Sequence, residues 1–485
     1  MKLEKITLEN FRCYQKLEIN LHPHITVLAA NNGEGKTSIL DAVRIAMWPF
    51  VSQFDLAKNS YADPANTITI DDVRILKSVE QKSQIFGALD LMARQFPSSI
   101  LTVGDYQESK STWQRYRDSE AKKSQTKDDP GTKILKKSAK ALQNATRDLN
   151  VEPENLPVFG YYGTGRLWRE KRLMGVKAGV TKKNNEQIRS FAYQDCLDPA
   201  SSFKQFQDWF TSAYLKVMEY QIKKLEDGET FIEVPNELRN PVKVVQDAVN
   251  EVLKPVGWQN LQYSEKYDKS LVLKHPKHGV MKITQLSAGI KNMLAMIADI
   301  AYRCVLINGH LGDKAAESSP GVVMIDEIDM HLHPQWQQTV ITSLRQAFPN
   351  IQFIVTTHSP QVLSTVPSES IRVIKHEVDS ETGELISTAN RPLTENLGLP
   401  CSDVMAQLQD VDPIPDVEPA QWLKKYKTFI VQNELDTSEA RDIRKNILDH
   451  FGEKHQAWHE CERLIRLQTM KEKFLSRKSI EDSNA

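Results

Sequence analysis

The stretch Ile25-Thr26-Val27-Leu28-Ala29-Ala30-Asn31-Asn32-Gly33-Glu34-Gly35-Lys36-Thr37-Ser38-Ile39-Leu40 decides the fold. It opens on an apolar run of the kind that forms a buried strand. From Ala30 to Thr37 it matches a phosphate-cradling loop at its diagnostic end. Gly33 and Gly35 let backbone N–H groups turn toward phosphate, Lys36 can reach the outer phosphate oxygens, and Thr37 can ligate Mg2+. Asn32 and Ser38 flank these residues as further nucleotide contacts. The pattern asks for glycine at the first position, where this chain has Ala30, which is tolerable if φ there is negative. From Ser38 to Met47 the apolar spacing is helical, and Pro49 is expected to stop the helix.

The second half of the chain supplies the partners such a loop needs. Val322-Val323-Met324-Ile325-Asp326-Glu327 is a buried-strand run ending in two carboxylates, which emerge at the strand's C-terminal edge. Asp326 suits the magnesium shell and Glu327 suits the polarisation of an attacking water. A further strand, Phe353-Ile354-Val355-Thr356-Thr357, delivers His358 toward the γ-phosphate or that water. Leu286-Ser287-Ala288-Gly289 precedes a long helix, where Ser287 and the amides of Ala288 and Gly289 can grip phosphate.

Outward from these motifs the pattern is an alternating α/β core. Strand-like runs lie around Leu3–Leu8 and Leu17–Leu28, and further strands near Leu271–Leu273 and Val280–Ile283. Helices are expected over 200–227, over Val242–Val252, from about 288, and after Pro334. Between 105 and 150 the chain turns polar and lysine-rich (Lys122, Lys123, Lys127, Lys133, Lys136, Lys137, Lys140) and reads as an insertion or mobile loop. A second basic stretch carries Arg166, Arg169, Lys171, Arg172, Lys177, Lys182, Lys183 and Arg189.

With 62 Lys+Arg against 63 Asp+Glu, a nucleic-acid surface would have to come from such local asymmetry. Both stretches could equally be solvated loops or partner contacts, and no helix-turn-helix or zinc-finger pattern supports sequence-specific reading. The five cysteines form no CxxC pair, which argues against a disulfide framework or structural zinc. The N-terminus alternates polar and apolar residues where a leader would be continuously apolar. Asp299 and Arg303 interrupt the apolar segment Met293–Ile307, so it reads as a buried helix, not a membrane span, and the cytoplasm is the expected location.

The order of phosphate loop, Leu-Ser-x-Gly, Asp-Glu strand, Asp329-Met330-His331-Leu332-His333-Pro334 and Thr357-His358-Ser359-Pro360 resembles the ABC-type ATPase head of the SMC, RecF and break-repair families. That resemblance implies an α/β head of two lobes with helical and basic insertions and a small helical C-terminal extension. Residues 1–390 would form the head: a phosphate-loop lobe over 1–170, an insertion over about 171–230, and a signature and carboxylate lobe over 231–390. Residues 391–485 would form a small helical region that packs on the head or binds a partner. The cofactors implied are ATP and Mg2+, and Arg12 of the Asn-Phe-Arg element would reach the nucleotide.

Such heads close as a homodimer or higher oligomer around two ATP molecules, each signature loop capping the other subunit's γ-phosphate. Gln107 is a candidate for the family's glutamine between lobes. Long heptad arms and a C-terminal metal-nuclease domain are not evident in the sequence. Leu156–Trp168, Asp329–Trp336 and a tail with Trp422, Trp458 and His459 are similar to the PtuA ATPases of Septu and retron antiphage systems. In that family the ATPase pairs with an HNH nuclease subunit (PtuB-like), and in retrons also with a reverse transcriptase and its RNA–DNA product (msDNA). The alternatives are a RecF-like DNA-binding repair ATPase, whose basic stretches would face DNA, and a transporter ATPase.

Overall fold

The computed structural model describes residues 1–57, 64–78, 91–106, 109–121, 124–148, 150–166, 188–199, 203–378 and 385–483. Its strands, in chain order, are β1 (Lys2–Phe11), β2 (Tyr14–Asn20), β3 (Ile25–Ala29), β4 (Ile75–Ser78), β5 (Leu91–Arg94), β6 (Ser98–Tyr106), β7 (Ser109–Arg117) and β8 (Lys127–Asp128). They continue with β9 (Val158–Tyr162), β10 (Gln259–Ser264), β11 (Ser270–His275), β12 (Gly279–Lys282), β13 (Gly321–Ile325), β14 (Ile351–Thr357), β15 (Ile371–Val378) and β16 (Leu385–Asn390). The single run expected over Leu17–Leu28 is two strands, β2 and β3.

The central sheet has the order β16-β15-β3-β14-β13-β9, parallel except for the antiparallel edge strand β16. Every residue of β3, β9, β13 and β14 is buried, as strands covered on both faces require, and this is why they read as continuous apolar runs. Register fixes the functional edge. Ala29 pairs with Thr357, and Ile325 pairs with both Val355 and Tyr162, so β3, β14, β13 and β9 finish side by side.

A second, antiparallel sheet has the order β2-β1-β6-β7-β8. Gln352 of β14 joins the two sheets. Its amide accepts from Leu3 N at 2.7 Å and donates to Leu3 O at 2.7 Å and His22 O at 2.9 Å, beside the register shift in β1. The 105–150 region, expected to be an insertion or mobile loop, holds β7, β8, the end of β6 and the Pro130–Ala145 helix. Asp129 caps that helix by accepting from Thr132 N at 2.7 Å.

The helix after the phosphate loop runs Lys36–Val51 and continues through Pro49. Proline removes the N–H that would bond the carbonyl four residues back. Arg115 Nη1 donates to Ile45 O at 2.9 Å, and Trp113 Nε1 donates to Ala46 O at 2.9 Å, so the second sheet satisfies the carbonyls around the interruption. Arg115 also bonds Asn66 O at 2.8 Å and Asp128 at 3.1 Å.

The basic run is less lopsided in space than in sequence. Lys127 pairs with Asp118, Lys136 with Asp128, and Lys140 and Arg147 both with Asp55. Arg189 of the second stretch donates to Ile307 O at 2.8 Å and Glu154 O at 2.7 Å. Lys122, Lys123, Gln107 and the second stretch from Arg169 to Lys183 lie outside the described residues.

The Phe203–Glu226 helix, expected over 200–227, buries Phe203, Phe206 and Phe210 but leaves Ile222 and Leu225 exposed, so its apolar residues are covered only along its first half. The Ala288–Asn308 helix is buried for most of its length, with Asp299 and Arg303 forming a buried ion pair at 2.9 Å. Among the described residues no helix is long and apolar enough to cross a membrane.

The chain divides into two compact units, Met1–Val404 and Met405–Ala485. The second unit contains the helices Glu418–Gln432, Ser438–Phe451 and Gln456–Ser483 around a core of Tyr426, Ile430, Ile443, Ile447, Trp458 and Cys461.

Candidate nucleotide site

The loop from Ala30 to Lys36 leaves β3 and enters the Lys36–Val51 helix. Gly33 has φ +87° and Gly35 φ +83°, the left-handed region that glycine adopts freely. Ala30 is not among the residues with positive φ, so alanine there is unstrained. A Cβ on Gly35 would lie 2.5 Å from Tyr14 Oη and 2.6 Å from Cys13 Sγ, so space as well as backbone demands glycine. Glu34 folds back on the loop, its carboxylate accepting from Asn31 N at 2.9 Å.

Lys36 Nζ spans the loop, donating to Ala30 O at 2.8 Å and Asn31 O at 3.0 Å. Burial pulls its pKa below the ordinary lysine value, against the opposing pull of Glu34, Asp326, Glu327 and Asp329. The expected carboxylates are therefore the lysine's electrostatic neighbours.

Asp326 N donates to Tyr162 O at 2.8 Å, extending the sheet pairing one residue past β13. Its carboxylate accepts from Thr37 Oγ1 at 2.9 Å and from Thr356 Oγ1 at 2.6 Å. The same Thr356 hydroxyl accepts from Glu327 N at 2.7 Å, and Ile328 N donates to Thr356 O at 3.0 Å. Glu327 itself is left-handed, with φ +48°, a conformation a non-glycine residue holds only when its surroundings fix it. Sequence reasoning passed over Thr356, although a hydroxyl within the run Phe353-Ile354-Val355-Thr356 was the signal of a buried polar group needing a partner.

His358 follows β14, and Thr357 Oγ1 donates to Asp329. Burial first, then Lys36, depress the imidazole pKa, while Asp329, Glu327 and Asp326 oppose them. The structure thus gathers Lys36, Thr37, Asp326, Glu327 and His358 at one sheet edge.

Arg12, at φ +50°, is held by two carboxylates that the sequence did not single out. Its Nε donates to Asp72 at 2.8 Å and its Nη1 to Asp41 at 2.7 Å, with Ser38 Oγ at 3.4 Å. Asp41 also meets Arg44 at 3.0 Å and accepts from Tyr161 Oη at 3.2 Å. Arg12 is therefore docked on the helix that the phosphate loop opens.

Ser287 caps the Ala288–Asn308 helix, its hydroxyl 3.5 Å from Ile290 N. A Cβ on Gly289 would lie 2.3 Å from His331 O, so this glycine is also required where the helix meets the loop after the carboxylates. Asn32 is exposed at the loop.

Hydroxyl and carboxylate oxygens from Thr37 and Asp326, already within hydrogen-bond distance, are the hard donor set that magnesium prefers.

Comparison with known proteins gives the same reading. A family model described as "AAA ATPase domain" matches residues 1–363. The "Retron Vc95 probable ATPase" of Vibrio cholerae serotype O1 biovar El Tor is 26% identical, over 93% of this chain and 88% of that protein. The "Retron Ec83 probable ATPase" of Escherichia coli is also 26% identical, over 93% of this chain and 84% of its own length. "Septu protein PtuA" of Bacillus mycoides (strain KBAB4) is 36% identical over 21% of this chain and 13% of that protein. Because the family match takes in the phosphate loop, the Asp326–Glu327 strand end and the His358 strand end together, the chain belongs to the AAA ATPase domain family, and the reaction its site serves is ATP hydrolysis.

Proposed function

We propose that this chain is the ATP-binding and ATP-hydrolysing subunit of an antiphage defence complex, in which it controls a separate HNH nuclease subunit. The observation that carries the nucleotide chemistry is the line from Thr37 through Asp326 to Thr356 and the Glu327 amide, with Lys36 beside it. Lys36 and the loop amides bind the phosphates. Thr37 and Asp326 would hold Mg2+, which would supply neutralisation of the developing charge on the phosphate oxygens. Glu327 polarises the attacking water, and His358 hydrogen-bonds the γ-phosphate or that water. Arg12, oriented by Asp41 and Asp72, faces the nucleotide from the β1–β2 turn. Ser287 and Gly289 of a second copy cap the γ-phosphate, so a single chain is catalytically incomplete.

The defence role is supported by likeness to retron ATPases along most of both chains and to Septu PtuA over a shorter segment. In that setting ATP binding is the conformational switch, and hydrolysis the timer or reset. The associated chains are the HNH nuclease and, in the retron form, a reverse transcriptase with its RNA–DNA product. Lys133 and Lys137 of the first basic run form no ion pair among the described residues, and they are the candidates for nucleic-acid contact.

The test is copurification with the proteins of neighbouring genes, followed by nuclease assay with ATP and Mg2+. Recovery of an HNH subunit whose cutting depends on the nucleotide is expected. Vigorous DNA cleavage by the purified chain alone contradicts the division of labour. Salt-sensitive DNA clamping without a nuclease partner favours the RecF-like reading instead.

A further inference from the structure

The Glu34 carbonyl lies inside the phosphate loop, yet its hydrogen-bond partners come from two distant strands. Tyr14 Oη, at the start of β2, donates to it at 2.7 Å, and His376 Nε2, on β15, meets it at 3.3 Å. The two rings stack on each other with centroids 5.6 Å apart and planes 30° apart. A carbonyl has no proton to give, so His376 Nε2 carries the hydrogen and donates. On the other side of the ring, Nδ1 lies 2.8 Å from Ser387 Oγ of the paired strand β16, which orients the imidazole.

In a trans peptide the carbonyl of one residue and the N–H of the next point in opposite directions. Holding Glu34 C=O against Tyr14 and His376 therefore turns Gly35 N–H the other way, toward the side where phosphate is bound. Gly35, at φ +83° and without a side chain, sits in a peptide that flips at little steric cost, and a flip would present a carbonyl to the phosphates. From this geometry we infer that Tyr14 and His376 are positioning residues that clamp the Glu34–Gly35 peptide in its anion-binding orientation. Burial keeps the Tyr14 phenol protonated well above its ordinary range, so it stays a donor. The inference rests on the loop's being the nucleotide site but not on any defence role.

The test measures ATP affinity with Mg2+ by calorimetry, together with melting temperature, for the full chain and its Tyr14→Phe, His376→Phe, His376→Gln and Lys36→Ala variants. Both phenylalanine variants keep a ring in the stack and lose only the donor. Each is expected to raise Kd roughly three- to tenfold while melting stays within about 2 °C of wild type. His376→Gln, which restores a donor, is expected to regain part of the affinity. Wild-type affinity in both phenylalanine variants overturns the clamp. A loss that tracks a fall in melting temperature, or one that His376→Gln does not regain, also overturns it. Absence of ATP binding in the wild-type chain, matching Lys36→Ala, would defeat the nucleotide-site reading and the clamp with it.

Discussion

Two single residues show how tightly the site is specified. Gly35 meets a double constraint, left-handed backbone and a neighbour, Tyr14 Oη, that would lie 2.5 Å from any Cβ added there. Gly35→Ala is therefore expected to weaken nucleotide binding by about 100-fold, measured as Kd, because the substitution adds both strain and a clash. His358 gives a pH signature. Burial and Lys36 hold its pKa below the ordinary 6.5. The folded chain then keeps the ring neutral while the unfolded chain takes up a proton, so stability falls as pH drops below 6.5 and levels off below the folded value. A pH–rate profile should place the His358 acid limb below the ordinary imidazole range, and His358→Ala should remove it. The glycine, lysine, threonine and carboxylate positions were legible because each has a local pattern of its own. Tyr14, His376, Asp41 and Asp72 were not, because their roles depend on contacts that no local spacing records.

Among the elements, the helix that the loop opens is the clearest case of tertiary structure overriding a local signal. Pro49 is a sound stop by sequence, but the donors that relieve it come from Arg115 and Trp113, 70 and 67 residues from their acceptors. Arg115→Met leaves buried carbonyls at Ile45 and Asn66 and the Asp128 carboxylate without this partner. It should cost about 3 kcal/mol, read as a shift in denaturant midpoint at unchanged slope. The lysine-rich run taught the opposite lesson. Its charge looked like a surface field, but Asp55, Asp118 and Asp128 fold onto it, and two of the three lie within the same polar region of sequence. Charge counted along a chain is not charge presented in space.

For the whole molecule, the continuous apolar strand runs alternating with helices identified an α/β core because β3, β13 and β14 are buried on both faces. The flanking antiparallel sheet was harder to read. Its strands β6 and β7 mix polar and charged residues; at the edge of the central sheet, β15 and β16 follow the last motif with nothing diagnostic of their own. The Met405–Ala485 unit has its own core, so Trp458→Ala should lower that unit's stability by about 3–5 kcal/mol while ATP affinity stays within about twofold of wild type. Circular dichroism melting and calorimetry on the same sample would separate the two effects. The nucleotide site itself is most directly tested by steady-state ATP hydrolysis and ATP binding, measured together on the wild-type and Glu327→Gln chains with Mg2+. Glu327→Gln should bind ATP as tightly as wild type and lose at least roughly 100-fold in turnover, whereas hydrolysis at the wild-type rate would contradict Glu327 as the residue that activates water.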